Sequence, residues 1–284
     1  GIGGVSFDNR MWNDSVIPHA YFHSLAVDPK YRRQGVATRL SNWLYDEAVE
    51  SIGEDAVMSA LIQGGNIGSV KNVHRRASQF FEKRALIFPT KSLNKPPRQN
   101  SELSVREITS EDLEQVVLHQ NNFYQDYNLY PVESEQSLSQ TLQFSPFGSR
   151  QNSYFVVVDK SDNLLAGAML ADRQGLARGE IKRMPFPLKV VNKALRLFPA
   201  SNIIANISVN QLWFKDGHIA AARYLVEMLR WKYRDRASNL TLWVDRLSPA
   251  KRIYGSRVFM LKVKGHLAIK AKDSTAEDRL IFIR

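Results

Sequence analysis

The chain has 284 residues, 44% of them hydrophobic and 24% charged, a globular composition that excludes a disordered or collagen-like polypeptide. It has no Cys, which excludes disulfides, thiolate metal sites and a Cys nucleophile and leaves the redox compartment open. No apolar run approaches the ~20 residues of a membrane-spanning helix. The net charge of +11 suits an anionic cofactor or partner, or serves solubility alone.

The length predicts two domains. Gly1-Ile2-Gly3-Gly4-Val5 opens a strand over 1–8, and no secretory pattern precedes it. Further strands are expected at 17–27 and 56–63, helices at 35–51 and 67–77, and an extended stretch near 85–93. Residues 89–103 are polar and carry Pro89, Pro96 and Pro97. Proline fixes φ and removes a donor, so this stretch reads as a linker or a loose hairpin. The expected division is a domain over 1–95, a linker over 96–102 and a second domain over 103–284.

The second part opens with a strand over 103–108 and a helix over 110–125. Thr109 or Ser110 can cap that helix, and Glu111 and Asp112 sit in its first turn. Strands follow at 153–159 and 164–172, then a basic region at 173–202. The chain ends with strand 206–214, helix 218–235, strand 239–244, a short helix 249–255 and strand 258–270. Strands and helices alternate, which predicts an α/β or α+β fold with mixed sheets flanked by helices. Each half also holds an apolar strand, a short turn, a long amphipathic helix and another apolar strand, at 22–62 and again at 207–244. That pattern suggests an internal repeat.

The chemistry concentrates between Leu25 and Leu40. An apolar strand ends at Val27, a turn follows through Asp28-Pro29-Lys30-Tyr31, and a helix begins near Gly35. Val36, Leu40, Trp43, Leu44 and Ala48 have the spacing of one buried helical face. The first N–H groups of a helix lack internal partners, and the dipole favours an anion there. Gly35 has no Cβ to block an approaching phosphate. Ala37 keeps the wall low, and Arg32, Arg33 and Arg39 add positive charge. A diphosphate suits this segment.

Arg32-x-x-Gly35-x-Ala37 resembles the (Gln/Arg)-x-x-Gly-x-(Gly/Ala) signature of the GNAT N-acetyltransferases, here in its expected place between a strand and an amphipathic helix. The resemblance implies a GNAT fold and an acetyl-CoA cosubstrate, with no metal. It places Leu25, Ala26, Val27, Arg32, Arg33, Gln34, Gly35, Val36, Ala37 and Thr38 along the cofactor. Asn66-x-x-Ser69 resembles the family's second element, whose Asn contacts the pantetheine arm or the substrate; equally, Asn66 is a good helix N-cap. A competing register places the same pattern at His74. The Tyr that often protonates the departing thiolate is replaced by Val73 in the first register and by Phe81 in the second, and neither can donate.

Counting back along the strand, Tyr21 falls where several family members carry a catalytic Glu. His19, Tyr21 and His23 share one strand face. His23 is the better base, since His titrates near neutral pH; the plain alternative is two ordinary strand histidines. The order of a signature-bearing half, a Pro-containing connection and a signature-free half resembles the plant Hookless-type N-acetyltransferases, a tandem GNAT architecture. By that comparison the first half is expected to lack its initial strands and helices, which shape the acceptor pocket.

In the second half, Asp216-Gly217-His218 stands where the signature would be. The Asp216 charge opposes a phosphate there, and His218 reads as a helix start. Residues 173–196 carry Arg173, Arg178, Lys182, Arg183, Lys189, Lys193 and Arg196 against Glu180 alone, and Arg230, Lys232, Arg234 and Arg236 add to the charge. This is a solvated basic face or a docking surface for an acidic protein. Nucleic acid is not an expected partner, because no binding motif accompanies the charge. The expected activity is acetyl transfer from acetyl-CoA to a primary amine by direct attack in a ternary complex, in the cytoplasm. The alternative is a GNAT-like regulator that senses CoA or binds a partner.

Overall fold

The computed structural model describes residues 1–174, 179–182, 184, 186, 189, 192, 203–204, 207–237, 239–253 and 263–283. Strand β1 (Ile2–Trp12) and β2 (Ser15–Ala26) form a hairpin, followed by helix α1 (Val36–Ile52), β3 (Val57–Gln63), α2 (Ile67–Val73) and β4 (Gln79–Lys91). Then come β5 (Ser104–Glu107), α3 (Leu113–Tyr124), β6 (Tyr127–Asn128), α4 (Glu135–Gln143), β7 (Asn152–Val158) and β8 (Leu164–Asp172). The short strands β9 (Gly179–Glu180) and β10 (Ile203–Ile204) precede β11 (Ile207–Phe214), α5 (Ile219–Lys232), β12 (Asn239–Asp245), β13 (Val263–Lys270) and β14 (Leu280–Ile281). Among the described residues no helix is long and apolar enough to cross a membrane.

Several expectations shift. The first strand continues past residue 8 to Trp12 and turns back at once, because Asn13 and Asp14 both adopt positive φ, 47° and 68°. Two such residues make the tight turn that matches strand twist. The helix expected over 67–77 stops at Val73, and the one over 218–235 stops at Lys232. Helix α4 was not expected; a capping box between Ser134 and Ser137 starts it over a stretch with few apolar residues. Trp43, expected on the buried face of α1, is 58% exposed, while Leu44 and Ala48 are buried. The strand expected over 258–270 is described from Val263, and residues 254–262 lie outside the described part.

Ten strands form one mixed sheet in the order β1-β2-β3-β13-β4-β12-β11-β8-β7-β5. Strand β13, late in the chain, lies between β3 and β4 and pairs antiparallel with both. Helix α5 buries Leu225 and Leu229 against Phe88, Val209, Leu240 and Leu242. A second cluster, which includes Tyr124, Tyr154 and Trp213, packs α3 against the sheet. A smaller one joins Ala48 of α1 to Ala20 and Met58.

Strands β4 and β12 meet at the seam between the early and late parts of the chain. There Arg84 Nε and Nη2 donate to Asp245 at 2.6 and 2.9 Å, and both side chains are buried. Glu82 and Lys83 both face out, and Lys83 adopts φ 51°. That bulge turns Arg84 inward, where ordinary alternation would not hold it. Replacing Arg84 with Met leaves an uncompensated buried carboxylate, so we expect a loss of about 3–5 kcal/mol of stability. Urea unfolding measures it. The double variant Arg84→Met/Asp245→Leu should recover much of that loss; an Arg84→Met midpoint equal to wild type would refute the account.

Candidate functional site

Strands β2 and β3 run parallel and pair only from His19↔Val57 to Phe22↔Ala60. Beyond that they part, and the opening has a local cause. Ser24 adopts φ 58°, and the register against β1 slips between Ile2↔Ala26 and Gly4↔His23. One extra residue in β2 makes a bulge that bends it away from its neighbour. The resulting wedge holds a cavity of about 260 Å³, walled by Leu25, Tyr45, Ala60, Ile62, Asn66 and Val73 among others. Ser69 also lines it. Asn66 caps α2, its Oδ1 accepting from Ser69 N–H at 3.1 Å.

Of the expected cofactor residues, Leu25, Asn66 and Ser69 line this cavity and residues 26–38 do not. Past the end of β2 the chain turns through Asp28, whose carboxylate accepts from Lys30 N–H. Arg32 Nε donates to the Val27 carbonyl at 3.1 Å, and Gln34 Nε2 donates to the Lys30 carbonyl. Two of the signature side chains therefore brace the turn itself. Gly35 caps α1 at φ 73° with no side-chain bond, no acid follows in the first turn, and the space where a Cβ would stand is open. Arg32, Arg33, Gln34 and Gly35 are exposed, and Val36, Ala37 and Thr38 are half-buried. The start of α1 thus has no side-chain cap and no acid in its first turn, and its dipole favours an anion there. Leu25 and Val27 are half-buried and Ala26 is exposed.

Behind the wedge a second cavity of about 360 Å³ carries a polar stripe: Asp8, Arg10, His19, Tyr21, His23 and Ser59. Leu129, Leu267, Phe282 and Ile283, from the later part of the chain, complete its wall. Asp8 Oδ1 lies 2.8 Å from His19 Nδ1, and Arg10 Nε donates to Asp8 Oδ2 at 2.8 Å. His19 Nε2 lies 2.8 Å from Ser59 Oγ. Burial pushes the Asp8 carboxyl up, but bonds from His19 and Arg10 and the Arg10 charge outweigh it and bring the pKa to about 2. Burial lowers the His19 pKa, with Arg10 adding to that against the pull of Asp8. Burial raises the Tyr21 pKa, which makes it a still poorer base.

His23 hydrogen-bonds Ser6 Oγ at 3.0 Å and Ser24 Oγ at 3.1 Å. Its ring lies over Gly4, where a Cβ would come within 2.6 Å. His23 and Ser59 line both cavities. The sequence reading brought out Tyr21, His23 and the turn but missed Asp8, Arg10 and Ser59. The available signal was an Asp and an Arg two apart in a strand, on one face. It also missed Tyr45 in the wedge, which receives the Lys270 ammonium on its hydroxyl and the Arg76 guanidinium 4.2 Å over its ring.

The later part of the chain repeats the geometry. Gln211 adopts φ 51°, β11 pairs with β12 only at Ser208↔Thr241 and Val209↔Leu242, and Gly217 adopts φ 80° before α5. This wedge is filled, however. Ile281, Phe282 and Ile283 line what remains, about 20 Å³. Asp216 is exposed at its mouth, and His218 caps α5. Of the basic segment 173–196, Arg178, Arg183, Lys193 and Arg196 lie outside the described residues.

Residues 2–76 match the family model of the acetyltransferase (GNAT) family. No curated protein sequence matches the chain. A GCN5-related N-acetyltransferase from Sphaerobacter thermophilus superposes with a TM-score of 0.57 at 14% identity, over 94% of this chain and 76% of that one. The N-myristoyltransferase of Saccharomyces cerevisiae, solved with myristoyl-CoA, gives 0.60 at 10% identity over 95% and 68%. A GCN5-related N-acetyltransferase from Kribbella flavida gives 0.50 at 10% identity, and this chain covers 56% of it. The fold is that of the GNAT, or acyl-CoA N-acyltransferase, proteins.

The buried His19 carries a pH signature. Its folded pKa lies below the unfolded 6.5, so on acidification the unfolded chain binds a proton that the folded chain refuses. Stability is then lost as pH falls through about 6.5 toward the folded value, by at most ~1.4 kcal/mol per pH unit for one proton. Urea midpoints between pH 7.5 and 5 should fall more steeply for wild type than for His19→Gln, about pH 6.5 downward. Parallel curves would remove His19 from the account.

Proposed function

We propose that the chain transfers an acetyl group from acetyl-CoA to a primary amine, by direct attack in a ternary complex. The observation that carries this reading is the β2–β3 wedge, whose strand β2 leads into the Arg32-x-x-Gly35-x-Ala37 turn, together with a second, polar cavity that shares His23 and Ser59 with it. The pyrophosphate takes the N–H groups at the start of α1, with Arg32, Arg33 and Arg39 supplying charge. The pantetheine arm runs along Leu25, Ala26 and Val27 into the wedge, past Asn66 and Ser69. The amine enters from the second cavity, and both reactants are held before they react. A backbone N–H near Ala26 or Val27 steadies the oxyanion.

His23 is the proposed base, because its imidazole lines both cavities. Tyr21 lies beside it, ring centroids 5.8 Å apart, and orients rather than deprotonates. The yeast protein's myristoyl-CoA makes acyl length a question for experiment. We also propose a tandem arrangement of the plant Hookless type, joined at 96–102, with β13 of the later part completing the sheet of the first, and a basic docking surface for an acidic protein at 173–196. A second reading, a CoA-sensing or partner-binding regulator, draws on Val73 and Phe81, which cannot protonate a thiolate.

Calorimetry with acetyl-CoA, myristoyl-CoA and CoA tests the donor. Gly35→Glu should abolish acetyl-CoA binding in a protein that stays folded, because the carboxylate enters an anion site at a positive φ. Asp216→Asn should leave affinity unchanged, with a single cofactor bound per chain. Full affinity in Gly35→Glu would refute the assignment of the loop.

His23→Gln should lower turnover by roughly 10²–10⁴, with little change in cofactor affinity. Steady-state rates against a panel of primary amines measure this. Unchanged turnover would hand the proton to water or to another residue.

A further inference from the structure

Asp8, His19 and Ser59 form one line of hydrogen bonds in the wall of the second cavity, ending at Ser59, which lines the wedge as well. Asp8 Oδ1 meets His19 Nδ1 at 2.8 Å, and His19 Nε2 meets Ser59 Oγ at 2.8 Å. An ionised carboxylate only accepts, so Nδ1 carries the ring proton. Nε2 then offers its lone pair to the Ser59 hydroxyl. This is the arrangement that turns a serine into a nucleophile: a base within reach of the hydroxyl, itself oriented by a third group. Three neighbouring strands supply the parts, β1, β2 and β3, so the line is fixed by the sheet. Arg10 occupies the other oxygen of Asp8 and holds it in place.

Position argues that the line does more than join strands. Ser59 stands opposite Tyr21, one step before the pairing of β2 and β3 ends at Phe22↔Ala60. That is the apex of the wedge. Ser59 lines the wedge cavity and the second cavity alike. A group brought to the apex by a ligand in the wedge therefore meets Ser59 before it meets the second cavity.

We propose that Ser59 is an acyl acceptor and that the chain has a second activity: hydrolysis of thioesters and activated esters through an acyl-Ser59 intermediate when no amine is bound. Ser59 Oγ attacks the acyl carbonyl carbon, and its proton passes to His19 Nε2. The carbon–sulfur bond breaks, and the thiolate leaves with the proton from His19. Water from the second cavity then attacks the ester, giving up its proton to His19. The carboxylic acid departs and the serine is restored. The identity of the natural donor as an acyl-CoA rests on the reading above; the reactivity of Ser59 does not.

The full chain is incubated with p-nitrophenyl acetate and, separately, with acetyl-CoA, then quenched in acid and digested for mass spectrometry. We expect one acetyl group on the peptide that carries Ser59. We also expect a burst of p-nitrophenolate equal to the protein present. Ser59→Ala should lose burst and adduct, and His19→Gln should slow acylation roughly 10²–10⁴-fold, the worth of a positioned base. Because the adduct is read in the wild-type protein, a misfolded variant cannot mask the result. Labelling by p-nitrophenyl acetate without acetyl-CoA binding would uphold the serine and overturn the CoA reading. Acetyl-CoA binding with no acetyl on Ser59 from either donor, and an unchanged rate in Ser59→Ala, would overturn the serine and leave the CoA reading standing.

Discussion

A guanidinium and a carboxylate, both out of water, hold the early and late parts of this chain together. Taking two charges into a sheet costs several kcal/mol each unless their bonding positions are filled. Here they are. Asp245 accepts from Arg84 twice, from Leu247 N–H at 3.0 Å and from Ile281 N–H at 2.8 Å. Arg84 also donates to the carbonyls of Glu277 and Arg279. The pair therefore fixes the C-terminal segment as well as β4 and β12. That segment fills one wedge with Phe282 and walls the cavity behind the other with Phe282 and Ile283. The open site owes part of its shape to residues more than two hundred positions away.

The two wedges show how one backbone device serves opposite ends. Ser24 and Gln211 sit at the same kind of bulge, and Gly35 and Gly217 at the same kind of helix start. The difference lies in what stands inside and in front. The first wedge has a basic turn and a cleft of about 260 Å³. The second has Asp216 outside and a tightly packed aromatic filling, with Phe282 against Tyr124 and Tyr130 at 5.0 and 5.3 Å. The charge before the helix is positive at one and negative at the other, although the strands part in the same way.

What the sequence made legible was local. The turn from Asp28 to Gln34, the start of α1 and the cap at Thr109–Asp112 each depend on residues within a few positions. Spacing alone reveals them. The triad of Asp8, His19 and Ser59 was hidden for the opposite reason. It needs the Asn13–Asp14 turn to set Asp8 across from His19, and then the parallel register that sets Tyr21 across from Ser59. Neither register is written in any one segment. Arg84 was hidden too, since a bulge at Lys83 breaks the alternation that would have marked it as buried. Trp43 shows the reverse error: its spacing suits the core, but the contact face of α1 is narrow and centred on Leu44 and Ala48.

Strand β13 lies between β3 and β4, yet it is made some 170 residues after the end of β4, counted from Lys91 to Val263. During synthesis, β3 and β4 leave the ribosome long before the strand that belongs between them. Their facing edges stay unpaired meanwhile, and unpaired edges invite association with other chains. The signature-bearing segment cannot complete its sheet until β13, Val263–Lys270, has emerged. Closing so long a loop is slow. The cleft between β2 and β3 therefore belongs to a sheet that is completed late, and a ribosome that stops before Val263 releases a chain with both edges open.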